Sequence, residues 1–501
     1  MMGKSQHLTK SKYLSGLHCS RKLWFDVHDH EPFIDAAPGS AMDIGKRVGR
    51  GAHTLFPDGI EIDAPPWEHA VAVEQTKNLM ADAETLAVFE GAFEHNNIRI
   101  RADVLERLGP DAWGLREVKS SLSVKEESRH HDDVAIQLYV LRGCGVDVQS
   151  SELIHVNREY IRGDDGINWQ ELLCRADLTA EAEKLLPKIE NTLAGLKTIL
   201  TRKEAPDVYP SKQLCRRPYE CDYWLRCTSE KPDDWIAYLP SIRQDQIEQL
   251  LAEGIETIRD IPEDFPLRDT HKLVKQVMQT GKPYVSEDLG NAICNLGPPA
   301  YYLDFETVSP IIPLYPRTRP IERIPFQWSI HHLGAGGELS HYEYLADGSH
   351  DPRRELTENL LDILGREETP ILAYYASFER SVIEELSELF PDLALELHAL
   401  TSRLADPLTI VRSHTYYPGY RGSFSLKTVA PTLAPELDYE KLDGVADGRE
   451  ASAAYWYIAS GEIKDSDKKS LQRELLDYCR LDTEALMKVH LELRNLAGLR
   501  D

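Results

Sequence analysis

The stretch Arg101–Ser121, RADVLERLGPDAWGLREVKSS, decides how the first half of the chain is read. From Ile98 to Leu108 apolar and polar residues alternate, which is the period of a half-buried strand, and Gly109, Pro110 and Asp111 supply a turn. Trp113–Ser121 then reads as the second strand of the pair. The pairing puts Asp103 at the end of the first strand, and Glu117 and Lys119 two apart on one face of the second. Two acids and a lysine converging in this way suit metal-assisted phosphate chemistry. The carboxylates hold Mg²⁺ or Mn²⁺ through hard oxygen ligands, and the metal activates a water and polarises the phosphate. The lysine orients that water or offsets the developing charge. A Glu-x-Lys triplet on a solvated strand face has the same sequence, so the upstream aspartate at hairpin distance is what favours a site.

Outward from the hairpin, the same residues resemble the D…(D/E)-x-K core of RecB-like nucleases of the PD-(D/E)XK fold. The resemblance implies catalytic roles for Asp103, Glu117 and Lys119. QLYVL (137–141) resembles the Q-x-x-x-Y-type helix motif of that group and implies that Gln137 and Tyr139 lie near the site. GRGAH (49–53) resembles their G-x-x-x-H helix, which would make His53 a metal ligand; a lone helical histidine with a structural role reads the same way.

Cys19 lies in YLSGLHCSRKLWF (13–25), and Cys215, Cys221 and Cys227 follow far downstream with five residues between each. One early and three late cysteines around such a core resemble the iron–sulfur RecB-like exonucleases, including the AddB type and the CRISPR-associated adaptation exonucleases. The resemblance implies a 4Fe–4S cluster on these four thiolates, stapling the domain. The late spacing departs from the family's usual short-then-long pattern, and a Cys₄ zinc site is the alternative. Cys144, Cys174, Cys294 and Cys479 lack partners in sequence and read as core or incidental.

In the second half, YYLDFET (301–307) puts Asp304 and Glu306 on one face of a buried strand, costly without a cation between them. D-x-E-T resembles the first motif of DnaQ-like exonucleases of the RNase H fold. AYYASFER (373–380) resembles their second motif, N-x-x-(F/Y)-D, with Glu379 where aspartate is usual. ADPLTIVR (405–412) and GSFSLKTVA (422–430) resemble structural stretches of that fold, with Asp406 in a first or second coordination shell. YCRLD (478–482) matches the Y-x-x-x-D form of the third motif and places Tyr478 and Asp482 on one helix face. In that family the tyrosine orients the attacking water and the aspartate binds metal. The whole C-terminal part looks like a bacterial domain of unknown function found behind iron–sulfur RecB-like nucleases. Arg317, Arg319 and Arg323 lie in its RTRPIER loop, either meeting phosphates or simply solvated.

The 57 Lys and Arg against 83 Asp and Glu leave a net charge of −26, which excludes a general polyanion binder. Any nucleic-acid contact must then use local basic patches or metal ions; Lys4, Lys10, Lys12, Arg21 and Lys22 form one such patch. No run approaches the roughly 18 apolar residues of a membrane span, and the N-terminus lacks a secretory apolar core, so a cytoplasmic protein with no membrane partner is expected. The division expected is a PD-(D/E)XK domain over 1–230, a helical connector over 231–298, and an RNase H-like domain with a mixed sheet over 299–501, all of α/β class. Within the connector LLAEGIETIRDIP (250–262) reads as a helix-hairpin-helix or as a helix closed by a glycine. The expected function is metal-dependent phosphodiester hydrolysis, on DNA and from an end. The alternative is a non-catalytic nucleic-acid-binding scaffold with a worn C-terminal site.

Overall fold

The computed structural model describes residues 7–29, 37–126, 128–217, 220–365, 368–437 and 444–499; Lys4 of the basic patch lies outside them. The chain is α/β with mixed sheets. It folds as two units, Met1–Ser229 with Ile311–Glu322, and Glu230–Pro310 with Arg323–Asp501. The stretch expected as a connector therefore groups with the C-terminal part, and 311–322 groups with the N-terminal one.

In the first unit β1 (Leu8–Thr9) leads into α1 (Lys10–His18) and α2 (Ser20–His28), followed by α3 (Ala41–Ala52), β2 (Ile60–Glu61) and α4 (His69–Ala81). A meander of β3 (Ala87–His95), β4 (Ile98–Arg107) and β5 (Ala112–Lys119) comes next. Then α5 (His130–Gly143) crosses to β6 (Asp147–Val156), and α6 (Trp169–Leu172), β7 (Leu173–Asp177), α7 (Thr179–Leu200), α8 (Lys212–Cys215) and α9 (Trp224–Thr228) follow. Asn96 and Asn97, both at positive φ, make the two-residue hairpin turn between β3 and β4. The strand order is β2-β3-β4-β5-β6-β7, with β1 parallel to the start of β4. β5 and β6 run parallel, as a helical crossover requires. Ala102, Leu105 and Leu115 share one core with Val134, Leu138 and Leu141 of α5, so the helix is held across the sheet by its apolar face. Asp103 lies within β4 rather than at its end, because the strand continues to Arg107 opposite Trp113.

The segment 311–322 is bound into this unit by core and ladder-like contacts. Ile312 packs with Val48, Phe56 and Tyr160. Arg162 N donates to Thr318 O at 3.0 Å, Arg317 N donates back to Arg162 O at 2.8 Å, and the Arg162 guanidinium donates to Pro313 O at 2.9 Å. Arg319 pairs with Glu159 at 3.7 Å.

The second unit begins with α10 (Gln244–Ala252), α11 (Asp269–Thr280), β8 (Tyr284–Val285) and α12 (Leu289–Ile293), then β9 (Ala300–Val308), β10 (Ile324–Leu333) and β11 (Leu339–Leu345). The rest is α13 (Arg353–Leu364), β12 (Ile371–Leu372), α14 (Ser377–Leu389), α15 (Ala394–Arg403), β13 (Leu404–Ala405), α16 (Pro407–His414), β14 (Thr415–Tyr416), α17 (Leu426–Leu433), α18 (Gly448–Ala459) and α19 (Asp465–Leu496). The five-stranded sheet has the order β11-β10-β9-β12-β13, antiparallel through β9 and parallel beyond it. Within residues 250–262 no second α-helix follows α10. Its end closes on Gly254 at φ 76°, with Gly254 N on Leu251 O (3.0 Å) and Ile255 N on Leu250 O (2.9 Å), and only the short 3₁₀ turn Ile258–Asp260 comes after. Strand β12 spans only Ile371–Leu372, because Tyr375 at φ 72° turns the chain into α14. Among the described residues no helix is long and apolar enough to cross a membrane.

Candidate active sites

In the first unit the hairpin and α5 bring the acid, acid and lysine together. Glu117 is fully buried, and Lys119 Nζ lies 2.6 Å from its Oε1. Asp103 Oδ2 accepts from Val118 N at 2.7 Å, which ties β4 to β5 at the site. Gln137 Nε2 donates to Glu117 Oε2 at 2.6 Å and to Asp133 Oδ1 at 2.9 Å, one helical turn earlier. Asp133 in turn holds Lys119 at 2.7 Å. Lys10, the first residue of α1, sits 2.8 Å and 3.0 Å from the two oxygens of Glu117. These charges set the protonation states. Burial, then the Glu117 charge, pushes the Asp103 carboxyl up to about 7. Burial acts the same way on Glu117, but Lys10 and Lys119 override it and hold that carboxyl well below its usual range.

Lys10, Asp103, Glu117 and Lys119 line a cleft of about 620 Å³, together with Lys46, Arg50, His53, Glu61 and Glu90. His53 stands at the end of α3, its ring parallel to that of Phe89 with 3.8 Å between centroids, and burial lowers its pKa. A neutral imidazole lining a carboxylate cleft fits a metal ligand. Tyr139 does not join the site. Two positions from Gln137 it faces away round the helix, and its hydroxyl meets Asn96 at 3.1 Å and Glu190 at 3.4 Å.

Cys19, Cys215, Cys221 and Cys227 line one small pocket of the same unit, with no disulfide among them. Cys19 joins α1 to α2, and Cys221 N donates to Cys215 O at 2.7 Å. Burial raises the thiols of Cys215, Cys221 and Cys227, and the neighbouring sulfurs add to it. Four soft donors facing one pocket fit a metal or an iron–sulfur cluster. A tetrahedral zinc with bonds of about 2.3 Å needs sulfurs roughly 3.8 Å apart. Among the described residues no three of these sulfurs all lie within 4.8 Å of one another.

In the second unit Asp304 and Glu306 on β9 and Asp482 on α19 have carboxylate oxygens within 4.8 Å of one another. This fits a divalent cation with oxygen ligands at about 2.0–2.6 Å. Burial, then Asp482, pushes Asp304 up to about 8, and burial with Asp304 lifts Glu306 well above its usual value. Tyr478, one turn before Asp482, shares a hydrogen bond with it, and burial raises its hydroxyl pKa. Glu379 on α14 faces Asp304, is 2 % exposed, and leaves Oε2 without a partner. Asp406 accepts from Tyr375 N and Leu408 N at 3.0 Å each, so it caps α16 and fixes the turn before Glu379. Arg323 is engaged by Ser381 and by Glu385 at 3.4 Å, and stacks over Phe378.

Four functional neighbours escaped the sequence reading. Lys10 appeared only as part of a basic patch, and Asp133 was not singled out, although its position one turn before Gln137 puts it on the same face. Lys427, in the GSFSLKTVA stretch, lies 4.7 Å from the Tyr478 ring centre. Cys479 is not incidental: its thiol approaches Asp304 Oδ2 at 3.4 Å. Its place three before Asp482 on one helix was the available signal.

These centres define an α/β protein with two acidic sites, one in each unit. A family model described as Domain of unknown function (DUF2779) matches residues 301–425, which include Asp304, Glu306 and Glu379 and stop short of Tyr478 and Asp482. No curated protein matches the chain.

Proposed function

We propose that the chain is a cytoplasmic, divalent-metal-dependent nuclease that hydrolyses phosphodiester bonds of nucleic acid, DNA first and from an end. The observation that carries this is the Asp103–Glu117–Lys119 set lining a cleft that also presents Lys46 and Arg50, in a chain of net charge −26. Local cations beside carboxylates are what a polyanionic substrate and its metal require together. The β3–β4–β5 meander with a helical crossover to parallel β6 supports a PD-(D/E)XK core. The order β11-β10-β9-β12-β13 supports an RNase H-like second unit.

Asp103 and Glu117, with His53 as a further ligand, would hold a divalent cation, which would supply Lewis acidity and activate water. The protein's own groups do the remaining work. Lys119 places a fixed charge beside the scissile phosphate. Gln137 orients the Glu117 carboxylate, and Asp133 steadies Lys119. Full-length protein with Mg²⁺ or Mn²⁺ is expected to shorten end-labelled DNA, and the loss of label should vanish in chelator. DNA and RNA both left intact, with either metal, would refute the reading.

The four thiolates around one pocket support a 4Fe–4S cluster, with a Cys₄ zinc site as the alternative. Anaerobic protein is expected to be brown, and serine at Cys19, Cys215, Cys221 or Cys227 to lower both iron content and melting temperature. Stoichiometric zinc in colourless protein would assign the pocket to zinc instead.

A second reading, that the C-terminal unit binds rather than cuts, is favoured by Glu379, which stands where aspartate is usual and has a buried Oε2 without a hydrogen-bond partner. In a Lys119→Ala background, residual cleavage should be kept or raised by Glu379→Asp and lowered roughly tenfold to a hundredfold by Tyr478→Phe. Metal binding without cleavage in that background would make this unit a scaffold.

A further inference from the structure

We propose that Lys10 is a positioning residue of the first carboxylate site, a resident cation that holds Glu117 and competes with divalent metal for its oxygens. The inference rests on the nuclease reading only in taking Glu117 as a metal ligand.

Lys10 lies 107 residues from Glu117 in sequence, yet its ammonium reaches both carboxylate oxygens, at 2.8 Å and 3.0 Å, and Asp133 Oδ1 at 3.4 Å. A surface lysine making a chance pair would be mobile and water-screened. This one opens α1, where Thr9 caps the helix by accepting from Lys12 N at 3.3 Å. The residue before it is fixed too, since β1 pairs with β4 through Leu8–Ile98 and Thr9–Arg99. Tyr13 of α1 is buried in the main core, and Gly16 lets the helix close against Leu196 and Leu23. The backbone that carries Lys10 is therefore set by strand pairing, a cap and core packing.

Around it the carboxylates outnumber the ammonium groups, four to two. Asp103, Glu117, Asp133 and Glu90 face Lys10 and Lys119. Lys119 and Lys10 each touch Glu117 Oε1 and each touch one oxygen of Asp133. The two ammonium groups bracket the buried pair of acids, and Gln137 closes the network. Lys119 is more exposed to the cleft, with 31 % of its side chain accessible against 18 % for Lys10. Both ammonium groups sit on Glu117, but Lys10 reaches both of its oxygens and Lys119 is the more open to the cleft. A dication approaching Glu117 meets an ammonium already on both oxygens, so Lys10 must share or yield that carboxylate. In return it keeps Glu117 aimed when no metal is there.

The test measures Mn²⁺ affinity of the full-length chain by the signal of free Mn²⁺, with Asp304→Asn present to silence the second acidic centre. Lys10→Met should tighten Mn²⁺ binding about tenfold or more, by removing like-charge repulsion at contact distance, and should lower cleavage. Lys10→Arg keeps the charge and should stay near the parent affinity. A purely structural lysine would weaken binding when removed, so unchanged or weaker binding in Lys10→Met overturns the proposal. Adding Glu117→Gln should abolish the binding in every case. If no variant shows Glu117-dependent Mn²⁺ binding, the metal reading of the site and the role of Lys10 fall together. Tightened binding with no cleavage of DNA or RNA would uphold Lys10 and refute the nuclease.

Discussion

Lys119→Ala, in a chain whose second acidic centre is silenced by Asp304→Asn, is expected to lower metal-dependent cleavage by about a hundredfold to a thousandfold, the scale of losing one preorganised charge at a transition state. The protein should still fold. Removing one partner of a buried ion pair is ordinarily costly, but Lys10 continues to pair with Glu117 at 2.8 Å and with Asp133 at 3.4 Å. Lys119→Arg should not restore the rate, because a planar fork does not occupy the place of a compact ammonium. Rates on end-labelled substrate, alongside melting curves, separate the two effects. Full activity in a folded Lys119→Ala protein would remove this residue from the mechanism.

The second large effect is expected on stability. Asp304, Glu306 and Asp482 crowd three carboxylates into one buried place, so without a cation they resist ionising. Asp304 is pushed up to about 8 in the folded chain, whereas an unfolded aspartate titrates near 3.9. The folded state then binds more protons than the unfolded one across that interval. Stability in chelator should be greatest below about pH 4 as far as this group is concerned, and should decline as pH rises toward 8. Mg²⁺ or Mn²⁺ should reverse the loss at pH 8, since a ligand bound only by the folded state stabilises it. At a hundredfold excess over Kd the melting temperature of this unit should rise by roughly 5–10 °C. Asp304→Asn should flatten the pH dependence and remove most of the metal response. A wild-type transition indifferent to both metal and pH would show that these acids take no cation.

The β4–β5 hairpin was legible because alternation over Ile98–Leu108 and a Gly-Pro-Asp turn leave little choice of conformation, and the hairpin carries three of the site residues with it. Strand β3 was not foreseen: Glu90, at φ 56°, and Gly91 interrupt the pattern of AVFEGAFEH. Tyr139 was misplaced because a motif gives neighbours in sequence, whereas the helix turns them to different sides. Lys10 and Lys427 were invisible as site members since their distance from the acids is bridged only by the fold. Cys479 was hidden by its type, as a lone buried cysteine is usually core.

The segment 311–322 has a consequence for how this polypeptide is inherited. Because Ile312 sits among Val48, Phe56 and Tyr160, and Arg162 exchanges hydrogen bonds with Arg317 and Thr318, the gene cannot be cut once to yield two self-sufficient cassettes. A fragment ending at Ser229 would leave an apolar notch and unanswered backbone groups, and one starting at Glu230 would carry the missing piece away with it. Exchange of the C-terminal half for another would have to keep the dozen residues 311–322 that pack in the first unit.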